Sequence, residues 1–275
     1  HVTGVQTCAL PIYILTKTTT SSLSILSYTM VIIPAISMIS FSVYFFKTKY
    51  KKYSPSFKFI DINFAKQLWS IGFKFFIINM GSILLFFTSN LIITQLLGPE
   101  DVTIYNIVYK YFSVITIISG IVMTPYWVAF NDANTVGEFD WIKKTMKSLI
   151  RICFLFGILG IVMFYLSDSV YVLWLRKTLN IPWHLSLIMA AFVIINTFRS
   201  PFTSYLNGVG KIQLETYITI IAGVTNIPLS IYLGRHFGIA GVILSISILS
   251  LISLILEIIQ YQKLIKNRGQ GIWNK

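Results

Sequence analysis

The sequence predicts an all-α polytopic membrane protein with about seven transmembrane helices, and three observations support this fold class. The 275-residue chain is 55% hydrophobic and only 11% charged, whereas soluble domains carry about 25% charged residues. Its mean hydropathy is +0.75. Its apolar residues form stretches of about 20 residues, the length that a helix needs to cross a bilayer. A soluble fold cannot bury so many apolar helices around one core, so the sequence excludes a soluble domain.

Seven segments have the length and composition of membrane-spanning helices. They are 22–46, 75–97, 103–128, 149–174, 184–206, 214–234 and 238–262. The polar residues 47–72 form the longest connection, and we expect them to link two bundles. On this division, 13–46 is the remnant of a first bundle that ends in helix 22–46. The six-helix bundle is then 73–262, followed by a basic tail at 263–275.

The connections on the opposite side are predicted to be short. Gly98 and Pro99 are expected to end one helix and begin the next. Glu100 and Asp101 then place negative charges at the positive end of that next helix. The largest outer loop, about 167–183, is too small for an extracellular catalytic domain.

Positive charges are concentrated in alternate gaps between the segments, and the net charge is +13. The gaps after the first, third, fifth and seventh segments hold Lys47, Lys49, Lys51, Lys52, Lys58, Lys66, Lys143, Lys144, Lys147, Lys211, Lys263, Lys266 and Arg268. The positive-inside rule therefore places these gaps and the C-terminus in the cytoplasm. Four tryptophans lie at segment ends, where indole rings prefer the membrane interface. They are Trp69, Trp127, Trp174 and Trp183. The basic surplus follows from this topology, so we expect no nucleic-acid partner.

The first residues of the chain are not expected to be native. Residues 2–12 read Val-Thr-Gly-Val-Gln-Thr-Cys-Ala-Leu-Pro-Ile, which is an in-frame translation of a common sequencing adapter. We therefore treat 1–12 as an adapter-derived artefact and exclude it from the reasoning about the fold. The native sequence is expected to start near Tyr13, as a C-terminal fragment of a longer protein.

Two cations within the apolar segments are the strongest candidates for function. Lys110 lies about 10 Å inside its segment along the helix axis, and Arg199 lies similarly deep from the other side. A cation at this depth is costly and is typical of a functional site. The alternative is that each long side chain bends back to the headgroups. Two cations from different helices favour an anionic cargo, above all a diphosphate.

Other polar residues are weaker candidates, each with a structural alternative. Asn90, Asn106, Asn196 and Asn226 are predicted to line a cavity or to form hydrogen bonds between helices. Pro125, Pro201 and Pro228 are predicted to kink helices, either for gating or for packing. Glu257 is interpreted as an interfacial acid balanced by Lys263, with proton coupling as the alternative.

The sequence contains no signature of an enzyme. It has no His/Cys set with metal-ligand spacing, no glycine-rich phosphate loop and no paired carboxylates in an outer loop. We therefore predict a protein that is not an enzyme and has no cofactor. Coupling to H⁺ or Na⁺ stays open.

Three stretches of the chain resemble one protein family. Residues 91–112 include the run Leu-Leu-Gly-Pro-Glu-Asp, residues 124–133 read Thr-Pro-Tyr-Trp-Val-Ala-Phe-Asn-Asp-Ala, and 137–145 read Gly-Glu-Phe-Asp-Trp-Ile-Lys-Lys-Thr. In order and spacing they resemble the O-antigen and capsular polysaccharide flippases, which are Wzx-like proteins of the MATE-like superfamily. Residues 205–215 fit the loop between the tenth and eleventh helices of that family.

The resemblance implies both an architecture and an activity. The seven segments would be family helices six to twelve, with a nearly complete C-lobe. The family moves undecaprenyl-diphosphate-linked oligosaccharide across the bacterial inner membrane by alternating access, for O-antigen, capsule or exopolysaccharide assembly. Lys110 and Arg199 would hold the diphosphate. One departure is Ser89, since many relatives have an acidic residue there. Expected partners are the lipid-linked oligosaccharide, membrane lipids, a polysaccharide polymerase and a chain-length regulator.

Three other functions stay open on the sequence. A MATE-type drug/cation antiporter would require carboxylates within the membrane, whereas the deep charges identified here are positive. A lipid II flippase would share the cationic cavity. A membrane polysaccharide polymerase or ligase would require a large outer loop with Arg and His, and none is visible.

Overall fold

In the computed structural model, residues 23–56, 62–176, 181–266 and 268–274 are described, and all regular elements in these ranges are helical. The α-helices are α1 (Leu23–Lys47), α2 (Ile62–Leu96), α3 (Pro99–Val136), α4 (Phe139–Leu175), α5 (Trp183–Gly208) and α6 (Gln213–Ile265), and short 3₁₀ helices occupy Lys51–Tyr53 and Gly271–Asn274. Helices α2 to α6 are long and apolar enough to cross a membrane, and α1 contains a shorter apolar stretch, Val31–Lys47. The predicted class, an all-α polytopic membrane protein, is confirmed.

The chain divides into two compact units. The first, 1–64, contains α1, and the second, 65–275, contains the bundle that is described below. In the bundle α5 is the central helix, because it packs against α3, α4 and α6.

Helix α6 accounts for two of the predicted segments because it doubles back at Gly238. A straight helix of its 53 residues would extend about 80 Å, more than twice the thickness of a bilayer core. Gly238 has φ 61° and ψ −143°, which is not helical. Beyond this bend, Ser245 donates to Asn226 Oδ1 at 3.0 Å, so the two parts of the helix lie side by side. We call 213–237 the first arm and 239–265 the second arm.

Helix α2 begins inside the predicted linker. The sequence predicted a polar linker over 47–72, but α2 begins at Ile62 and includes the last part of that range. Lys66 and Gln67 make this part polar, yet both residue types have high helix propensity. The sequence therefore changes from polar to apolar about ten residues after α2 begins.

Helices α3 and α4 also extend beyond their apolar segments. The sequence predicted a gap between 128 and 149, but α3 continues to Val136 and α4 begins at Phe139. The break is at Gly137, whose φ of 83° suits a residue without a side chain. The prediction placed the helix ends where the apolar residues end. A helix can continue past that point, because it ends only where the backbone leaves the helical conformation.

The short connections on the opposite side are as the sequence predicts. Gly98 has φ 119° and precedes Pro99, the first residue of α3, and two acidic residues occupy the first turn. The loop predicted at 167–183 is shorter, because α4 continues to Leu175 and α5 begins at Trp183. Residues 177–180 of this loop lie outside the described part.

Two apolar clusters hold the bundle together. The first includes Phe112 and Ile115 of α3 and Met189 of α5, and the second includes Phe130 of α3 and Tyr205 of α5. Helix α4 also contributes to both, through Tyr171 in the first and Met146 in the second, so α3, α4 and α5 share both clusters. The four tryptophans at the predicted segment ends are all exposed, as interface residues should be.

The C-terminal tail is folded against the bundle. Lys263 Nζ lies 3.7 Å from the centre of the Trp273 ring, and Gln260 Nε2 donates to the Trp273 carbonyl at 3.3 Å. Lys211, in the connection between α5 and α6, donates to the Asn274 carbonyl at 2.8 Å. The predicted basic tail is therefore joined to both ends of α6.

Candidate functional site

Arg199 lies at the centre of a buried ion cluster. It extends from α5 toward both arms of α6, and its side chain is 22% exposed. Its Nε donates to Glu257 Oε1 at 2.6 Å, and its Nη2 lies 3.5 Å from Glu215 Oε1. Glu257 is on the second arm and Glu215 on the first. One guanidinium thus connects three helical segments.

The two carboxylates are not held equally. Glu257 is fully buried and accepts a second short hydrogen bond, from Thr203 Oγ1 at 2.7 Å. Thr203 is one turn from Arg199 on α5, so one face of α5 binds both oxygens of Glu257. Glu215 is 3% exposed and has only the longer contact with Arg199. Glu257 is therefore the principal partner of the arginine.

A small cavity of roughly 80 Å³ adjoins this cluster. Its wall includes Arg199, Glu215, Ser82 of α2, Thr219 of the first arm and Ser250 of the second arm. The volume is enough for a few water molecules but not for a sugar or a lipid headgroup. The cavity beside the cluster is therefore too small to hold a large cargo.

The position of Glu257 corrects one interpretation of the sequence. Glu257 is not an interfacial acid balanced by Lys263, since Lys263 contacts Trp273 and Glu257 is buried against Arg199. The sequence places Glu257 about two turns from the end of an apolar segment, which suggested an exposed position. The signal that could have identified the pair is the opposite charge of Arg199 at a similar depth.

A second polar cluster lies between the two arms of α6. Asn226 is fully buried, and its Oδ1 accepts hydrogen bonds from Ser230 and Ser245, both at 3.0 Å. The two serine hydroxyls are also in contact with each other. Asn226, predicted to line a cavity or to join helices, is thus placed between helical arms.

Asn90 and Asn106 come together between α2 and α3. Asn106 Nδ2 donates to Asn90 Oδ1 at 3.0 Å, and each amide also donates to a carbonyl in its own helix. Asn196 of α5 donates to the Phe192 carbonyl one turn earlier. These contacts fit the structural alternative given for the asparagines, and a role in binding cargo stays a prediction.

Lys110 differs from Arg199 in its surroundings. It is exposed on α3, one turn after Asn106, and among the described residues its ammonium group forms no ion pair. No hydrogen bond of the described chain joins it to the Arg199 cluster. The structure therefore does not unite the two predicted diphosphate ligands in one site.

The three prolines lie inside helices that continue past them. Pro125 is in α3, Pro201 in α5 and Pro228 in the first arm of α6. The non-helical backbone within α6 is at Gly238, ten residues after Pro228. A role of the prolines in gating stays a prediction.

Comparisons with known proteins agree with this architecture. Residues 75–232, more than half of the chain, match the sequence profile of the MatE family. A Yersinia pseudotuberculosis protein described as a candidate O-antigen export protein is 24% identical over 144 residues. That alignment covers 52% of this chain and 33% of the relative.

A solved structure shows the same fold. The crystal structure of a MATE protein carrying a single substitution superposes with a TM-score of 0.78 at 13% sequence identity. The superposition covers 98% of this chain and 62% of the solved chain. The chain thus spans one third to two thirds of the length of these two proteins.

Proposed function

Because the chain belongs to the MatE family, whose members are membrane transporters, we propose that it moves undecaprenyl-diphosphate-linked oligosaccharide across the bacterial inner membrane by alternating access. The description of the Yersinia relative as an O-antigen export protein supports this cargo. The proposed products are O-antigen, capsule or exopolysaccharide. A polysaccharide polymerase and a chain-length regulator are the proposed partners of the complete protein.

The observation that carries the proposal is the position of Lys110 within α3 without an ion-pair partner among the described residues. Lys110 lies 11 residues after the first residue of α3, about 16 Å along the helix axis, and its ammonium group has no ion-pair partner among the described residues. Such a group is costly against hydrocarbon, and we propose that its face of α3 borders water or an anionic group. Thr103, Asn106 and Thr124 are polar residues of the same helix. A diphosphate headgroup would supply the anion that the described chain does not provide.

Arg199 has a different role in this proposal from the one that the sequence suggested. Its charge is already compensated by Glu257 and Glu215, so its attraction for a diphosphate is weak. We propose that it holds α5 to the two arms of α6. The cargo then contacts Lys110, and Arg199 keeps the wall of the cavity in place.

The position of the chain in the complete transporter is also a proposal. We propose that 73–262 forms the second lobe, that α1 is the last helix of the first lobe, and that the C-terminus is cytoplasmic. The coverage of the MATE crystal structure, 62% of its chain, supports this division.

A drug/cation antiporter is the second candidate function. It is favoured by the two buried carboxylates of the cluster, because intramembrane carboxylates are what a cationic cargo requires. The sequence argument against this candidate was that the deep charges are positive, and the burial of Glu257 removes that argument. The flippase and the antiporter therefore have to be distinguished by identifying the transported molecule.

The test is Lys110→Ala at the equivalent position of a complete homologous protein, in cells that depend on it for surface polysaccharide. We expect a large loss of polysaccharide with normal membrane insertion, and recovery in Lys110→Arg. Lys144→Ala, which removes an exposed lysine of α4, is the matched control. Normal polysaccharide in Lys110→Ala would overturn the headgroup assignment. A loss of drug resistance with normal polysaccharide would identify the antiporter.

A further inference from the structure

Two cations on α4 have no partner in the described part of the chain. Lys147 and Arg151 lie one turn apart, and both side chains are exposed. Neither of them forms an ion pair with a described residue. Lys143, one turn before Lys147, is different, because it pairs with Asp140 at 3.0 Å. Lys147 and Arg151 are therefore free to bind an anion that the described chain does not supply.

Arg151 marks one end of the apolar part of α4. The next 16 residues, 152–167, are all uncharged. At 1.5 Å per residue they extend about 24 Å, which is comparable with the hydrocarbon core of a bilayer. Arg151 thus lies at the boundary of the hydrocarbon, and Lys147 lies about 6 Å further out, within a headgroup layer about 5–8 Å thick. Lys143 and Lys144 are about 10–12 Å from Arg151 along the axis, beyond that layer.

The same face of α4 is apolar on the membrane side of Arg151. Leu155 and Ile158 follow Arg151 by four and seven residues, so they lie on its side of the helix. Both side chains are exposed, at 66% and 58%. The other side of α4 has small buried residues, among them Gly157 and Gly160, which lie against side chains of α5. The exposed face therefore changes from cationic to apolar at the boundary of the hydrocarbon.

We propose that this face binds a phospholipid with a net negative headgroup, whose phosphate lies at Arg151 and whose acyl chains follow Leu155 and Ile158. The planar guanidinium can donate two hydrogen bonds to phosphate oxygens. A zwitterionic lipid also offers a phosphate, but the cation of its headgroup would repel the ammonium group of Lys147. A headgroup with a net negative charge is attracted by both residues. The two cations together therefore select for the charge of the lipid.

The position of this face in the bundle agrees with an anionic lipid. Phe139 at the start of α4 and Leu264 near the end of α6 border one cavity, so these two helix ends lie on the same side. In the orientation proposed above, this side faces the cytoplasm. Anionic lipids give the cytoplasmic leaflet a negative surface potential that attracts basic residues beside membrane helices. The lipid that the two cations select is therefore expected on the side where they lie.

Native mass spectrometry of the chain in a non-ionic detergent tests this proposal, and the test depends on neither the cargo nor the orientation. The dissociation constants of phosphatidylglycerol and phosphatidylcholine with the same acyl chains are compared. We expect tighter binding of phosphatidylglycerol, and a loss of about fivefold in its affinity in Lys147→Gln and in Arg151→Gln. Phosphatidylcholine should be affected less, and its continued binding shows that the variants are folded. Lys143→Gln, which removes the same charge outside the headgroup layer, is the matched control and should change neither affinity.

A phosphatidylglycerol with a photoreactive group on its acyl chain locates the site. Trypsin cuts after arginine, so the label should appear on the peptide 152–176, which contains Leu155 and Ile158. Excess phosphatidylglycerol should suppress this labelling more than excess phosphatidylcholine does. Equal affinities for the two lipids, or equal losses in Lys143→Gln and Lys147→Gln, would overturn the proposal, because either result describes a general attraction of basic residues to a membrane. Labelling confined to other helices would also overturn it.

Discussion

The unequal positions of the two carboxylates predict unequal effects of two chemically identical substitutions. Glu257→Gln removes the charge that compensates Arg199 and weakens two hydrogen bonds of 2.6 and 2.7 Å. Glu215→Gln removes the excess charge and affects one contact of 3.5 Å. Both variants retain the size and shape of the side chain, so packing changes little. The difference between them therefore measures electrostatics and hydrogen bonding.

The magnitude follows from the burial of the pair. Breaking a buried ion pair by removing one partner costs about 3–5 kcal/mol. Because Arg199 is 22% exposed and keeps Glu215 as a partner, we expect about 3 kcal/mol for Glu257→Gln. For Glu215→Gln we expect a smaller loss, because Arg199 keeps its shorter contact with Glu257.

The assay is unfolding of the purified chain by SDS in mixed micelles, followed by tryptophan fluorescence. Arg199→Gln provides the double-mutant cycle with Glu257→Gln, and their coupling free energy should exceed about 1 kcal/mol. Equal losses in the two glutamine variants, or a larger loss in Glu215→Gln, would refute the assignment of Glu257 as the principal partner.

Two further predictions concern packing. Gly241→Ala should destabilise the chain by about 1–3 kcal/mol, because the added methyl group would overlap the backbone carbonyl of Leu233 across the bend. Gly223→Ala, in a helical position of the first arm with open space beside it, should be neutral or stabilising in the same SDS titration. Equal effects of the two would contradict close packing of the arms. Trp273→Ala should remove the cation–π contact with Lys263, worth about 0.5–2 kcal/mol, and release the tail. Limited trypsin digestion should then cleave the tail several-fold faster, and an unchanged rate would show that the tail is not held by this contact.

The fold could be predicted from the sequence because the length of an apolar run determines whether it can span a bilayer. Segment 103–128 became the apolar part of α3, and 184–206 that of α5. The helix ends were predicted less well. Lys66 and Gln67 are polar but helix-forming, so a change from polar to apolar residues does not mark the start of α2.

The candidate site could be predicted only in part. Arg199 was identified as significant from its depth, but its partners Glu215 and Glu257, on the two arms of α6, are 16 and 58 residues away along the chain. Pairing at such separations depends on how α5 and α6 pack, and neither periodicity nor spacing specifies this. The contact of Lys263 with Trp273 could not be predicted from periodicity or spacing either. It occupies the lysine that the sequence analysis had paired with Glu257.

The docking of the tail has a practical consequence for measuring movement in this protein. Trp273 and Asn274 are held by side chains from the end of α6 and from the connection that precedes it, through Gln260 and Lys211. A displacement of that connection relative to the end of α6 would therefore strain or break contacts at the extreme end of the chain. A fluorine label on the indole of Trp273 would sense this strain as a change in chemical shift. Such a label would report rearrangements of the bundle without any modification of its interior.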